Sequence, residues 1–234
     1  MDLKILVTGT GRCGTVFMAN LITSMGWPCG HEAVFGPLGL ERAEEILHGD
    51  GKPKNSQISR NGTILSEGMV LVGDSSYMSA PFLERVDTTV IHLVRNPVGV
   101  VGSLVGSVFR NFSNPHPTEF EDAPDHVLYE RFMYKHLPEL GEEMPQLDRA
   151  CLFYIRWNEM IEASGRVDMF HRVEDPPDRI QKLLGNPGWG YSDDRCNSFS
   201  ESSRSWKMSS VANPKIRSGM KDIMKRYGYL SVIF

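Results

Sequence analysis

Residues 3–25 constrain the fold of this chain more than any other stretch. Leu3–Val7 is a short, mostly apolar run, typical of a parallel strand that is buried on both faces. Glycines follow it, and apolar side chains then recur at helical spacing: Met18, Leu21, Ile22 and Met25. A strand, a glycine-rich turn and a helix form a cradle for phosphate, because backbone amides and the positive end of the helix dipole converge there.

Three kinds of phosphate ligand fit such a turn, and the residues separate them only in part. Gly9, Gly11 and Gly14 spell the G-x-G-x-x-G pattern of dinucleotide-binding proteins, and Glu32 lies at about the distance of a ribose-binding acid. A nucleoside-triphosphate P-loop shares the spacing of Gly9 and Gly14 but continues with Lys and then Ser or Thr. Here Thr15 and a valine follow Gly14, so the lysine and the magnesium ligand of that motif are missing.

Arg12 favours a third ligand. An arginine in the middle of the turn places a permanent, forked cation beside the bound anion, where a dinucleotide-binding loop normally carries a small residue. The segment Arg12-Cys13-Gly14-Thr15 resembles the 5′-phosphosulfate loop of sulfotransferases that use 3′-phosphoadenosine-5′-phosphosulfate (PAPS). The resemblance is to the Arg-Ser-Gly-Thr/Ser form found in carbohydrate and tyrosine sulfotransferases, with Cys13 in the place of Ser.

A second segment resembles the same family. Thr89–Val94 is another buried-strand run, followed by Arg95-Asn96-Pro97, in which Asn suits a helix N-cap and Pro suits the first helical position. Ser103 lies eight residues after the arginine on the predicted helix. This arrangement resembles the 3′-phosphate motif of the sulfotransferases, whose Arg and Ser bind the 3′-phosphate of the nucleotide. Both motifs occur in the family's order, each at the end of a predicted strand, which favours a PAPS-dependent sulfotransferase.

His31 and Glu32 are the candidates for a general base. In the sulfotransferases the base comes from about this distance after the phosphosulfate loop, and some short bacterial and phage-type members resemble this chain in having Gly-His-Glu here. We therefore expect Glu32 to be the base, with His31 as the second candidate. The structural alternative is that Glu32 pairs with an arginine and His31 is a satisfied turn residue.

The resemblance implies transfer of a sulfuryl group from PAPS to a hydroxyl of a carbohydrate, a tyrosine or a small molecule, by in-line attack and without a metal. Such a site needs donors aimed at the leaving phosphate, here Arg12 and the loop amides, and a base for the acceptor hydroxyl. The expected nucleotide-binding residues are Gly11, Arg12, Cys13, Gly14, Thr15, Val16, Arg95 and Ser103. A late loop adds candidate contacts with adenine or phosphate: Arg204, Trp206 and Lys207.

The predicted fold is a single α/β domain over residues 1–234, in three α/β/α layers with a mainly parallel sheet, like that of the P-loop-like sulfotransferases. The predicted strands cover about 3–8, 69–73, 89–94 and 167–173 and alternate with helices. Residues 27–30 are too short and too rich in turn formers to predict a strand. Asn-Gly within 58–65 predicts a hairpin, and the polar segment 110–125 predicts a substrate loop.

Two polar segments follow predicted strands. Asp74-Ser75-Ser76 lies where a strand ends, so it either faces the ligand edge of the sheet or provides the N-cap of the next helix. Arg172-Val173-Glu174-Asp175 resembles a late-strand element of the sulfotransferases, for which we expect a structural role.

Composition limits the partners and the compartment. A chain of 234 residues with 41% apolar and 23% charged residues suits one hydrophobic core. A net charge of −4 gives no general attraction to nucleic acid or to an anionic membrane, so the expected partners are a small nucleotide donor and a hydroxyl-bearing acceptor. The apolar start is too short for a signal peptide or a membrane span, so we expect a soluble, cytoplasmic protein. The four cysteines form no C-x-x-C pair and are expected to be free thiols rather than zinc ligands.

Two other functions remain open. A dinucleotide-dependent oxidoreductase would use the glycine pattern and Glu32, but the chain has no Tyr-x-x-x-Lys pair and Arg95 would have no role. A non-catalytic nucleotide-binding module would retain the cradle and bind nucleotide without transferring a group.

Overall fold

Five parallel strands form one sheet. The computed structural model describes residues 3–37, 39–48, 71–108, 125–141, 143–185 and 206–229. Within these ranges the strands are β1 (Ile5–Gly9), β2 (Cys29–His31), β3 (Gly73–Ser75), β4 (Thr89–Val94) and β5 (Met169–Arg172). They lie in the order β2-β3-β1-β4-β5, and every neighbouring pair is parallel. The sheet and its helices confirm the predicted three-layer α/β/α class.

Helices connect the strands. The described α-helices are α1 (Thr15–Ser24), α2 (Leu40–His48), α3 (Pro97–Ser103), α4 (Asp125–His136), α5 (Gln146–Ala163), α6 (Asp178–Leu183) and α7 (Pro214–Arg226). Short 3₁₀ helices cover Tyr77–Arg85, Pro138–Leu140 and Met208–Ser210, and a π-helical turn, Leu104–Val108, continues α3. None of the described helices combines the length and the hydrophobicity that crossing a membrane requires.

The connection that follows β1 and the connection that follows β4 run towards opposite edges of the sheet. The chain passes from β1 through α1 to β2 on one side, and from β4 to β5 on the other. Because crossovers between parallel strands are right-handed, opposite directions place the connecting helices on opposite faces. Accordingly, α1 packs on β1, β2 and β3, whereas α5 packs on β1, α3 and α7. The carboxyl ends of β1 and β4 therefore border the crevice in which open α/β sheets bind ligands.

β1 is the central strand of the sheet and is hydrogen-bonded to β3 on one side and to β4 on the other. All of its residues are buried, which explains why its sequence is mostly apolar rather than alternating. At its carboxyl end, a Cβ on Gly9 would lie 2.2 Å from the carbonyl oxygen of Leu93. Glycine is therefore required at this position for β1 and β4 to approach so closely.

The strand predictions are confirmed at 3–8, 89–94 and 167–173, with shifts of a few residues at the ends. The run predicted at 69–73 overlaps β3 only at Gly73, and residues 69–70 lie outside the described ranges. Residues 27–30, which are too short and too rich in turn formers to predict a strand from the sequence, contain the start of β2 at Cys29. β2 forms because its three residues pair with β3 in a parallel register. The local sequence of β2 does not encode that pairing.

The helices predicted after Gly14 and from Pro97 are confirmed as α1 and α3, whereas the helix after Ser76 differs in type. The segment after Ser76 is a 3₁₀ helix that contains Pro81, a residue with no amide hydrogen to donate. Three of the four cysteines lie in the described ranges and are buried free thiols, as predicted: Cys13, Cys29 and Cys151. The predicted hairpin at 58–65 and the predicted substrate loop, up to residue 124, lie outside the described residues.

Candidate active site

The turn between β1 and α1 contains two residues with a left-handed backbone. Arg12 has a φ of 72°, and Gly14, the N-cap of α1, has a φ of 110°. Glycine adopts this conformation without steric cost, whereas an arginine loses roughly 1–2 kcal/mol. The amide of Cys13 closes the turn by donating to the carbonyl oxygen of Thr10 at 3.2 Å. Gly14 provides no side-chain cap for α1, and the positive end of the helix dipole faces the turn because α1 begins there.

The side chain of Cys13 lies behind the turn rather than on its outer face. The residue is fully buried, and its Sγ lies against Gly9. Burial raises the pKa of this thiol to about 12, so it stays protonated at neutral pH. Cys13 therefore fills the core beneath the turn, and its thiol is not presented to a ligand.

The two predicted ligand motifs meet at the crevice between β1 and β4. Nε of Arg12, whose side chain is exposed, donates a hydrogen bond of 2.8 Å to Oγ of the buried Ser103 in α3. A guanidinium NH of Arg95 lies 3.4 Å from the carbonyl oxygen of Arg12 and donates to it. The structure therefore brings together three of the predicted site residues, although Arg12 and Arg95 are 83 positions apart in the chain.

The loop after β4 is held by hydrogen bonds to its backbone. Asn96 is the N-cap of α3 and accepts a bond from the amide of Val98 at 2.9 Å, with Pro97 at the start of the helix, as predicted. The hydroxyl of Tyr154 donates to the carbonyl oxygen of Arg95 at 3.0 Å. Because both ends of this short segment are fixed, the direction in which Arg95 leaves the backbone is fixed as well.

Residues 172–175 support the same loop. Glu174 accepts a bond from the amide of Asn96 at 2.8 Å and another from the hydroxyl of Tyr229 at 2.6 Å. Arg172 forms a bidentate pair with Asp175, with bonds of 2.6–3.0 Å. These contacts agree with the structural role expected for this segment.

Asp74 and Ser75, at the end of β3, position the residues that follow β2. The buried carboxylate of Asp74 accepts bonds from three consecutive amides, those of residues 33–35, at 3.1–3.3 Å. Burial raises the pKa of this carboxyl to about 7, although the three amides lower it. Ser75 accepts from the amide of Glu32 at 3.2 Å and donates through Oγ to the carbonyl oxygen of Thr15 at 2.8 Å. The helix N-cap in this segment is Ser76, so Asp74 instead caps the loop that carries the candidate bases.

Glu32 combines a strained backbone with a buried carboxylate. Its φ is 54°, and among the described non-glycine residues only Arg12 shares a positive φ. Its side chain is 10% exposed, and the hydroxyl of Tyr129 donates to Oε2 at 3.2 Å. Burial raises the pKa of Glu32 to about 7, while the bond from Tyr129 and the charge of Arg12 act in the opposite direction. A carboxylate of this pKa is poised to exchange a proton at neutral pH.

His31 lies between Glu32 and the first helical residue of α1. Its Nε2 is 3.0 Å from Oγ1 of Thr15 and 3.6 Å from Oε1 of Glu32. Burial lowers the pKa of this imidazole to about 4, so His31 is neutral at pH 7. As a base it is weaker than Glu32, which favours Glu32 among the two candidates.

The site also contains aromatic residues that sequence patterns did not single out. The Tyr77 ring packs against Gly11, and burial together with the charge of Glu32 raises the pKa of its phenol well above the usual range. Tyr154, which is buried in α5, was not among the predicted site residues. Of the predicted late-loop residues, Arg204 lies outside the described ranges and Lys207 is exposed, whereas Trp206 donates from its indole to the carbonyl oxygen of Val98 at 3.2 Å.

Comparison with known proteins adds no assignment. No protein-family model matches the chain, and no curated protein matches it either. The functional interpretation therefore depends on the two motifs and on the geometry that joins them.

Proposed function

We propose that this protein is a PAPS-dependent sulfotransferase that transfers the sulfuryl group to a hydroxyl of an acceptor. The observation that carries the proposal is the contact between the two motifs, through the Arg12–Ser103 bond and the Arg95–Arg12 bond. PAPS has anionic groups at both ends of its ribose, so a protein that binds it needs two neighbouring cationic sites. Arg12 and Arg95 provide those charges at the crevice where parallel α/β sheets bind nucleotides.

Each residue has a defined role in this proposal. The amides of Gly11, Gly14, Thr15 and Val16, with the Arg12 guanidinium, bind the 5′-phosphosulfate and stabilise negative charge on the leaving phosphate. Arg95 and Ser103 bind the 3′-phosphate.

The reaction is an in-line displacement at sulfur. The acceptor oxygen forms a new bond to sulfur while the bond from sulfur to the 5′-phosphate oxygen breaks, leaving adenosine 3′,5′-bisphosphate. Glu32 takes the proton of the acceptor hydroxyl, for which its pKa near neutrality is suited. The charge of Arg12 lies within electrostatic reach of Glu32, so the base and the leaving-group cation belong to one site.

Ligand-dependent thermal stability tests the donor assignment. Adenosine 3′,5′-bisphosphate at about 100 times its Kd should add about 2.7 kcal/mol to the free energy of unfolding, a rise in Tm of roughly 5–10 °C. NAD⁺ and Mg-ATP are the comparison ligands. A shift with NAD⁺ alone would favour the dinucleotide interpretation of the glycines and overturn the proposal.

A transfer assay then separates an enzyme from a binding module. Sulfuryl transfer from ³⁵S-labelled PAPS to a panel of sugars, tyrosine peptides and small alcohols should yield a labelled product with at least one acceptor class. Glu32→Gln should lower the rate of product formation about 100- to 10,000-fold but retain bisphosphate binding. Binding without transfer to any acceptor would favour the non-catalytic module.

A further inference from the structure

Three side chains lie in a row from the candidate base to the amino terminus of α1. Oε1 of Glu32 is 3.6 Å from Nε2 of His31, and that nitrogen is 3.0 Å from Oγ1 of Thr15. All three side chains are largely shielded from solvent, and Thr15 is only 5% exposed. The spacing means that one ring nitrogen of His31 faces both a carboxylate oxygen and a hydroxyl oxygen.

This geometry selects one tautomer of His31. The ring is neutral, so one of its nitrogens carries a hydrogen and the other carries a lone pair. When Glu32 is ionised, a lone pair on Nε2 would point towards its negative oxygen, which is repulsive. A hydrogen on Nε2 instead faces two acceptors, Oγ1 of Thr15 and the carboxylate. The Nε2–H tautomer is therefore favoured.

The tautomer decides what the hydroxyl of Thr15 does. When Nε2–H donates to Oγ1, the hydroxyl is the acceptor in that bond, and its own hydrogen is directed elsewhere. Thr15 is the first residue of α1, beside the turn that carries Arg12. A hydroxyl hydrogen there can be donated to an anion at the helix terminus, whereas a hydroxyl lone pair would repel it.

We propose that His31 is a positioning residue for Thr15: by donating from Nε2 to Oγ1, it reserves the hydroxyl hydrogen of Thr15 for the 5′-phosphate of the nucleotide. This inference rests on the proposed function, since it takes the nucleotide phosphate as the anion. It gives His31 a role distinct from that of a base.

The neighbouring backbone holds the row in place. Ser75 donates to the carbonyl oxygen of Thr15 at 2.8 Å and accepts from the amide of Glu32 at 3.2 Å. One residue of β3 thus ties the start of α1 to the loop after β2. Because Ser75 holds both backbone segments, His31 stays within hydrogen-bonding distance of Thr15 and close to Glu32.

The tautomer can be measured directly in the wild-type protein. A long-range ¹H–¹⁵N correlation spectrum of uniformly ¹⁵N-labelled protein at about pH 8.5, where Glu32 is ionised, distinguishes the two ring nitrogens, with His31→Gln used to assign the signals. We expect Nε2 of His31 to be protonated and Nδ1 to be unprotonated. The opposite tautomer would overturn the inference, whether or not the protein binds a nucleotide.

A double-mutant cycle tests the link between the two residues. Thr15→Val removes the hydroxyl at nearly constant shape and should weaken the binding of adenosine 3′,5′-bisphosphate about 10-fold or more, as measured by calorimetry. His31→Leu should cause a loss of similar size, and the double variant should be no weaker than Thr15→Val alone. His31→Gln can present an N–H near the position of Nε2 and should stay within about threefold of the wild type.

The outcomes separate the inference from the function on which it rests. If the wild type fails to bind the bisphosphate, the proposed function is wrong, and the spectrum alone decides the tautomer. If the wild type binds but the two losses multiply to about 100-fold or more, the residues act independently and the positioning role is wrong. The thermal unfolding curve of each variant shows whether the variant is folded. If His31→Leu does not fold, His31→Gln and Thr15→Val provide the comparison, and Gln binding as weakly as Thr15→Val overturns the inference.

Discussion

The pH dependence of turnover should follow the ionisation of Glu32. Burial raises the pKa of this carboxyl to about 7, and only its ionised form can take a proton from the acceptor hydroxyl. For one group of this pKa, the ionised fraction rises about tenfold between pH 6 and pH 8 and then levels off. We therefore expect kcat to rise with pH through about 7 and to reach a plateau above it.

Tyr129 provides a way to move that curve. Its hydroxyl donates to Oε2 of Glu32 at 3.2 Å, which stabilises the carboxylate relative to the acid. A hydrogen bond to a charged group is worth about 1.5–3 kcal/mol, and one pKa unit corresponds to about 1.4 kcal/mol. Because the bond is long, the lower end applies, and Tyr129→Phe should raise the pKa of Glu32 by about one unit. The kcat curve should shift to higher pH by the same amount and keep its plateau.

Initial rates of transfer at saturating PAPS, measured from pH 5.5 to 9.5, test this reasoning. Tyr227→Phe is a matched control, because the hydroxyl of Tyr227 donates to Glu162 at 2.6 Å where α7 packs on α5, and its loss should leave the curve in place. Glu32→Gln should lower kcat about 100- to 10,000-fold and remove the inflection near pH 7. An inflection that persists in Glu32→Gln, or that does not move in Tyr129→Phe, would refute the assignment of Glu32 as the base.

The two arginines and the buried Asp74 should respond differently to substitution. Arg12→Ala and Arg12→Gly should each lower kcat about 100- to 1,000-fold, because both lose a charge-stabilising donor. Arg12→Gly should nevertheless melt about 2–4 °C above Arg12→Ala, because glycine relieves roughly 1 kcal/mol of left-handed strain; equal melting temperatures would contradict the strain. Arg95→Ala should weaken bisphosphate binding about 10- to 150-fold in calorimetry, and an unchanged Kd would remove Arg95 from the 3′-phosphate site. Asp74→Asn should lower Tm by roughly 4–12 °C, about 2–3 kcal/mol, because Asn keeps one acceptor oxygen for the three backbone amides and places an NH₂ donor where the other oxygen was; exposed Asp178→Asn on α6 is the control and should melt like the wild type.

The central strands and the two turns that carry the candidate ligand motifs could be predicted because their signals are local. β1 and β4 are mostly apolar and do not alternate with polar residues, which is the pattern typical of burial on both faces of a parallel sheet. The turn after β1 and the Asn-Pro helix start after β4 are defined by residues with distinctive backbone behaviour. That both turns face one crevice also follows, since the carboxyl ends of parallel strands share an edge.

The support around Glu32 could not be predicted because it depends on contacts between distant segments. β2 is defined by its pairing with β3, and Asp74 binds amides about 40 positions earlier in the chain. An aspartate after a strand is equally typical of a ligand contact and of a helix N-cap, so the sequence left both open. Likewise, Tyr129 reaches Glu32 across 97 positions, a distance at which periodicity carries no information.

Arg12 and Glu32, the two charged residues proposed to act in the transfer reaction, both have a strained, left-handed backbone. In the described part of the chain they are the only non-glycine residues with positive φ, and sequence rules favour glycine or asparagine in that conformation. Such strain persists only where neighbouring contacts hold it, here the bond from Arg95 to the Arg12 carbonyl and the bond from the Glu32 amide to Ser75. Glycine at both positions would relieve the strain but would remove both charges. If the protein transfers sulfuryl groups as we propose, those charges act on the two ends of one reaction, and the strained backbone is what directs both side chains to it.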